Sequence, residues 1–177
     1  NRVLEDENTK TDTFNPIYQF MGIALVIIGV SGAGKTALIS KMASEILKLF
    51  QYKIYMILRY CGTSPMSNNA FRLLKSICRQ IEFFHNIKEL KSASILHYDE
   101  LVTYFHQLIH EYPVFLFIDS LDQLTDENQG RSQISFLKNI RPHPDSRIVV
   151  SSLPDETEIN PESGLTYMYY CETRLKI

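Results

Sequence analysis

Apolar and polar positions change period along this chain, and the changes mark out its elements. Residues 23–28 (Ile-Ala-Leu-Val-Ile-Ile) are continuously apolar, which suits a strand covered on both faces. Residues 36–50 place Leu38, Met42, Ile46 and Leu49 at helical spacing and predict an amphipathic helix. Residues 53–60 read as a second strand, stopped by Cys61-Gly62. Ser67 is placed to cap a helix running to Phe84, with Leu73, Leu74, Ile77 and Ile81 inward. A further helix spans 98–110, with Leu101, Phe105, Leu108 and Ile109 inward. Pro113 then opens a buried strand over 114–119, where proline is tolerated at the first position. A helix over 132–140, the turn-rich Arg141-Pro142-His143-Pro144-Asp145 and a strand over 147–151 follow, and residues 165–171 read as a fifth strand.

Strands alternating with helices predict an α/β fold with a mostly parallel sheet and helices on both faces. Residues 1–19 are polar, carry the turn signal Asn15-Pro16, and read as an arm or linker; residues 20–177 form the domain. The chain begins with Asn rather than Met, and we read it as a fragment of a longer protein. A composition that is 45% hydrophobic and 21% charged fits a globular domain. The formal net charge of −2 offers no basic field for nucleic acid. The longest apolar run, residues 20–28, is too short to cross a bilayer. Cys61, Cys78 and Cys171 lack the spacing of a metal site or a disulfide framework and read as reduced thiols of a cytoplasmic protein.

The chemistry is concentrated at Gly29-Val30-Ser31-Gly32-Ala33-Gly34-Lys35-Thr36, between the first strand and the first helix. This is the phosphate-binding loop, or Walker A, pattern. Gly29, Gly32 and Gly34 permit left-handed backbone angles and leave no side chain between amides and ligand. The successive N–H groups, Ser31 to Thr36 included, then converge as an anion nest at a helix N-terminus. Lys35 is expected to reach the β- and γ-phosphates of a nucleoside triphosphate, and the Thr36 hydroxyl to ligate Mg2+. A carboxylate is needed at the end of a neighbouring strand, and Asp119 fits that Walker B demand. Asp122, three residues on, is placed to orient an attacking water. In P-loop ATPases with an extra strand between the two motif strands, a polar residue at the end of that strand senses the γ-phosphate. Ser151 and Ser152 stand at such a position. The five histidines (His85, His97, His106, His110, His143) show neither metal spacing nor a nucleophile partner.

Three stretches together resemble the NACHT domain. They are the loop at 29–36, the strand and turn Phe115-Leu116-Phe117-Ile118-Asp119-Ser120-Leu121-Asp122-Gln123-Leu124, and Arg147-Ile148-Val149-Val150-Ser151-Ser152-Leu153-Pro154. The segment Arg59-Tyr60-Cys61-Gly62-Thr63-Ser64-Pro65 is similar to one found in the NACHT and WD-repeat, nephrocystin-like and telomerase-associated subgroup. The resemblance covers residues 23–156. It implies a three-layer P-loop NTPase sandwich with an extra strand between the Walker A and Walker B strands. It also implies a signal-transduction ATPase that binds ATP and Mg2+, with protein partners engaged through WD repeats and nucleotide-driven oligomers. The phosphate site carries over to Gly29, Gly34, Lys35 and Thr36, the magnesium acid to Asp119 and the second acid to Asp122. Two departures stand out: Ser120 and Gln123 replace a glycine and a third acid, and Leu153-Pro154 replaces an arginine-bearing end. Both point to slow hydrolysis and leave binding untouched.

Two other readings compete. One is a scaffold that keeps nucleotide as a structural ligand, motivated by Gln123. The other is a small-molecule or nucleotide kinase, for which the segment 122–141 offers only Arg131 and Arg141 as clamping arginines. No Asn/Thr-Lys-x-Asp guanine-reading pattern follows the phosphate loop, which favours ATP over GTP.

Overall fold

The computed structural model describes residues 17–21, 24–64, 67–129 and 134–154. Five strands form one sheet: β1 (Ile17–Met21), β2 (Ala24–Ile28), β3 (Met56–Tyr60), β4 (Phe115–Asp119) and β5 (Arg147–Ser152), in the order β1-β2-β5-β4-β3. β2, β5, β4 and β3 run parallel, and β1 pairs antiparallel with β2. β5 therefore lies between β2 and β4, the strands that lead into the glycine loop and the acidic turn. β1 begins inside the stretch 1–19 that the sequence marks as an arm, so the regular structure starts earlier than expected. The expected strand at 165–171 lies outside the described residues.

Helices α1 (Lys35–Leu49), α2 (Ala70–Phe84), α3 (Lys91–Ser94) and α4 (Tyr98–Glu111) connect the strands. α1 links β2 to β3, and α2 to α4 link β3 to its neighbour β4, the long crossovers that parallel strands require. α2 and α4 bury the residues expected of them, among them Leu74, Ile77, Ile81, Leu101, Phe105 and Ile109. The cap of α2 is Asn69, whose side-chain oxygen accepts from the Arg72 N–H at 3.0 Å. Ser67 is instead spent within its own turn, accepting from Ser64 N–H and donating to Ser64 O, both at 2.9 Å. α1 is rotated relative to expectation. Ile39 and Ala43 face inward, Leu38, Met42 and Ile46 are partly buried, and Leu49 is exposed.

The helix expected over 132–140 is not formed where the structure describes it. Ser135–Leu137 make one 3-10 turn, bracketed by Ile134 at φ 47° and Asn139 at φ 55°. Both residues sit in the left-handed region, where a right-handed helix cannot continue. Phe136, Leu137 and Ile140 are nonetheless buried, so tertiary packing rather than helical periodicity accounts for their spacing.

Two apolar clusters flank the sheet. The larger joins Val26, Ile28, Ile57, Leu116, Ile118, Ile148 and Val150 to α2 and α4. The smaller joins Ile27, Phe117 and Val149 to Ile39 and Ala43 of α1. Within the larger, Glu82 is buried but paired: its carboxylate accepts from the Ser92 N–H (2.9 Å), the Ser92 hydroxyl (2.5 Å) and the Tyr104 hydroxyl (2.9 Å). Three donors offset the cost of burying that carboxylate and tie α3 to α2 and α4.

Candidate nucleotide site

The carboxyl ends of the parallel strands converge at one pole, where open α/β sheets bind ligands. A cavity of about 560 Å3 opens there. It is lined by Ser31, Gly32, Ala33, Gly34, Lys35, Thr36 and Ala37 on one side and by Ser120, Asp122, Gln123 and Leu153 on the other. The loop after β2, the turn after β4 and the residue after β5 thus meet across one space.

The loop's conformation depends on glycine at two positions. Gly32 has φ 80° and Gly34 has φ 82°, angles that favour glycine. Gly29 does not adopt such an angle. A Cβ there would lie 3.2 Å from the Ala33 Cβ and 3.7 Å from the Lys35 stem, so Gly29 serves close packing of the loop on itself. Gly34 precedes α1, whose first turn carries no acidic side chain, leaving the positive end of the helix open to an anion.

Lys35 is buried, yet its ammonium has no ion-pair partner among the described residues. It donates to the carbonyl oxygens of Gly29 (2.6 Å) and Val30 (3.0 Å), both within the loop. A cation held beside a cavity by neutral carbonyls alone is an electrostatic site for an anion.

Thr36 and Asp119 meet as expected: the Thr36 hydroxyl donates to Asp119 Oδ2 at 2.6 Å. Asp119 is buried beneath Thr36, whereas Thr36 faces the cavity. A hydroxyl and a carboxylate are hard oxygen donors that suit Mg2+, which keeps several waters and takes further ligands from substrate phosphates. Among the described residues no group of three or more His, Cys, Asp or Glu side chains forms a metal cage. This sparse donor set fits a metal that arrives with a phosphate ligand. Behind Thr36, Ser40 donates to the Thr36 carbonyl (2.7 Å) and meets the Tyr60 hydroxyl (2.8 Å), bracing the first turn of α1 against β3.

Asp122 lines the cavity, in the 3-10 turn Leu121–Gln123 that follows β4. Its Oδ1 accepts from the Leu153 N–H at 2.8 Å and its Oδ2 from the Gln123 side-chain amide at 2.7 Å. Ser120 turns the chain into position with φ 60° and ψ 53°, a left-handed conformation in a non-glycine residue. Gly62, at φ 75°, ends the loop after β3 against Gln123: a Cβ at Gly62 would lie 2.7 Å from the Gln123 Cβ. Gly62 and the Leu153 amide were not singled out from the sequence as site groups. The rule that parallel strands end at one pole could have located them, since Cys61-Gly62 and Leu153 each follow a strand that ends beside Asp119.

The two candidate serines are separated by the sheet. Side chains alternate along a strand, so Ser151 shares the α1 face with Val149 while Ser152 shares the opposite face with Val150. Ser151 donates to Asp119 Oδ1 and accepts from the Ser120 N–H at 2.9 Å. Ser152 is buried, and its hydroxyl makes no hydrogen bond among the described residues. Neither serine lines the cavity. Cys61 is buried at the end of β3, where desolvation first and the nearby Asp119 and Asp122 second push its thiol up to about 12. It is therefore an inert thiol. Among the described residues no helix is long and apolar enough to cross a membrane.

The chain is 36% identical over 114 residues to human NACHT domain- and WD repeat-containing protein 1, an alignment covering 60% of this chain and 7% of that protein. It is 33% identical over 107 residues to the mouse protein of the same name, covering 56% and 7%. The matched part thus spans about 7% of the length of these curated relatives. No solved structure matches. Residues 10–152 match the family described as Nephrocystin 3, N-terminal, and with most of its length inside that match the chain belongs to this family and is a relative of the NACHT proteins.

Proposed function

We propose that this chain is a P-loop nucleotide-binding domain that holds ATP with Mg2+ in the 560 Å3 cavity and acts as a slow, nucleotide-dependent switch. The observation that carries the reading is the buried Lys35, unpaired by any acidic side chain among the described residues, inside a glycine loop at the start of α1. Lys35 and the amides of residues 31–36 bind the phosphates, and the Thr36 hydroxyl ligates Mg2+. Asp119 acts from behind Thr36 through that hydroxyl or a water. The metal, when bound, neutralises charge on the β- and γ-phosphate oxygens. Asp122 faces the cavity and orients water. The test is ATP binding by wild type and Lys35→Ala, with and without Mg2+. A loss on the order of a hundredfold in the variant is expected, because the loop's only lysine charge is removed. Equal affinity in the two proteins would sink the proposal.

A second reading, a nucleotide-bound scaffold that never turns over, is favoured by one observation. Both oxygens of Asp122 already accept protein N–H donors, from Leu153 and Gln123. Single-turnover chemistry separates the two. ADP formation that disappears in Asp122→Asn excludes the scaffold, and its absence in wild type establishes it. The kinase reading loses support, because the Arg141 carbonyl is bound by His110 near the end of α4, at the pole from which β4 starts rather than the pole of the cavity. Arg131 lies outside the described residues. The relatives are named for WD repeats, and we extend that to protein partners engaged through other parts of this protein and to nucleotide-driven self-association in the cytoplasm.

A further inference from the structure

The hydroxyl of Ser151 has a single proton to give, and the structure shows where it goes. Ser151 is the penultimate residue of β5, an interior strand of the parallel sheet, and is fully buried. Its proton is donated to Asp119 Oδ1, and its oxygen accepts the Ser120 N–H at 2.9 Å. The other carboxylate oxygen, Oδ2, takes the Thr36 hydroxyl at 2.6 Å. Asp119 is therefore gripped between two hydroxyls, one from the phosphate loop's helix and one from β5. A group that reads a terminal phosphate must turn a donor toward the cavity. Ser151 has none left to turn and does not line the cavity; Ser152 points to the other face of the sheet.

We propose that Ser151 is a positioning residue for Asp119, fixing the rotamer in which the carboxylate meets Thr36 and a nucleotide-bound Mg2+, and that it does not discriminate ATP from ADP. The inference rests on the nucleotide-binding reading and assigns Ser151 a different task from the γ-phosphate sensing expected of its position. Because Asp119 acts on the metal rather than on the last phosphate, losing its support raises the Mg2+ requirement equally for both nucleotides.

The experiment titrates Mg2+ into the chain with ATP or ADP at fixed concentration and follows nucleotide binding, for wild type, Ser151→Ala and Ser151→Thr. Thermal unfolding without nucleotide reports whether each variant is folded. In Ser151→Ala the Mg2+ concentration for half-maximal binding should rise on the order of tenfold, the size expected from losing one charge-assisted hydrogen bond. The factor should be the same for ATP and ADP, and metal-free nucleotide affinity should stay within about twofold of wild type. Ser151→Thr, which keeps the hydroxyl, should restore the wild-type Mg2+ requirement. If Ser151→Ala does not fold, Ser151→Cys retains the size with a weaker donor and should show an intermediate shift. A selective loss of ATP over ADP, or an unchanged Mg2+ titration in a folded variant, overturns the proposal while wild-type binding leaves the nucleotide reading standing. Absence of binding by wild type overturns both.

Discussion

The face of the sheet under α2 and α4 and the face under α1 bury different amounts and carry different chemistry. On the first, the even-numbered positions of β4 and β5 (Leu116, Ile118, Ile148, Val150) meet two long helices and the turn around Phe136. On the second, the odd-numbered positions (Phe117, Val149) meet one helix, and Leu25, Leu38, Met42, Ile46, Met56, Leu58 and Phe115 remain only partly buried. Continue the odd row by one residue pair and it reaches Asp119 and Ser151. The polar groups of the candidate site therefore extend the thinner face, and the thicker face supplies most of the core. Burying a carboxylate and a serine is costly unless donors are arranged around them, and the rigid backing of the thicker face allows that arrangement to be held.

Truncation in the thicker face should break this contrast most strongly. Phe105→Ala removes a fully buried ring from α4 and should cost about 3–5 kcal/mol in urea unfolding, while the molecules that remain folded keep their ATP affinity. Next, Glu82→Ala strands the Ser92 N–H, the Ser92 hydroxyl and the Tyr104 hydroxyl, at about 3 kcal/mol, again read by urea unfolding. Alkaline pH probes the same face through Cys61. Its thiol ordinarily ionises near 9.0 and is held up to about 12 in the folded chain. Between those values the unfolded state binds fewer protons than the folded one, so stability is complete below pH 9 and falls as pH rises. Cys61 should account for about 1.4 kcal/mol of the loss by pH 10, and Cys61→Ala should make the slope shallower, leaving the share of Cys78, whose thiol burial also raises.

The thinner face should respond less. Leu38→Ala, at a half-buried position of α1, should cost about 1 kcal/mol, and a cost equal to that of Phe105→Ala would erase the contrast. Smallest is Ser120→Gly. Relief of the left-handed backbone, worth about 1–2 kcal/mol, is offset by the extra freedom of the unfolded chain, about 0.4–1 kcal/mol. A thermal-midpoint increase corresponding to about 1 kcal/mol or less is expected.

Legibility differed from element to element for identifiable reasons. β2 and β4 were readable as continuous apolar runs with a clear stop, and α2 and α4 by one strong helical period. The rotation of α1 was not, since Leu38, Ile39, Met42, Ala43 and Ile46 together span more than one face and only the single-layer packing selects Ile39 and Ala43. The turn around Phe136 imitates a helix because its buried residues answer to α4 and the sheet rather than to a period of their own. Asn69 and Ser67 are both good caps, and the turn at Ser64 consumed one of them.

By itself the sequence determined the glycine loop between a strand and a helix, the order β2, α1, β3, α2, α4, β4, β5, and the place of Asp119 and Asp122 after one strand, because local periodicity and glycine spacing are written in neighbouring residues. The resemblance already implied a strand between the two motif strands, and β5 takes that place; only the tertiary structure decided that Asp119 sits between Thr36 and Ser151 and that Ser152 faces away. Those outcomes depend on register and on which face a side chain takes, and a shift of one residue along a strand reverses the face.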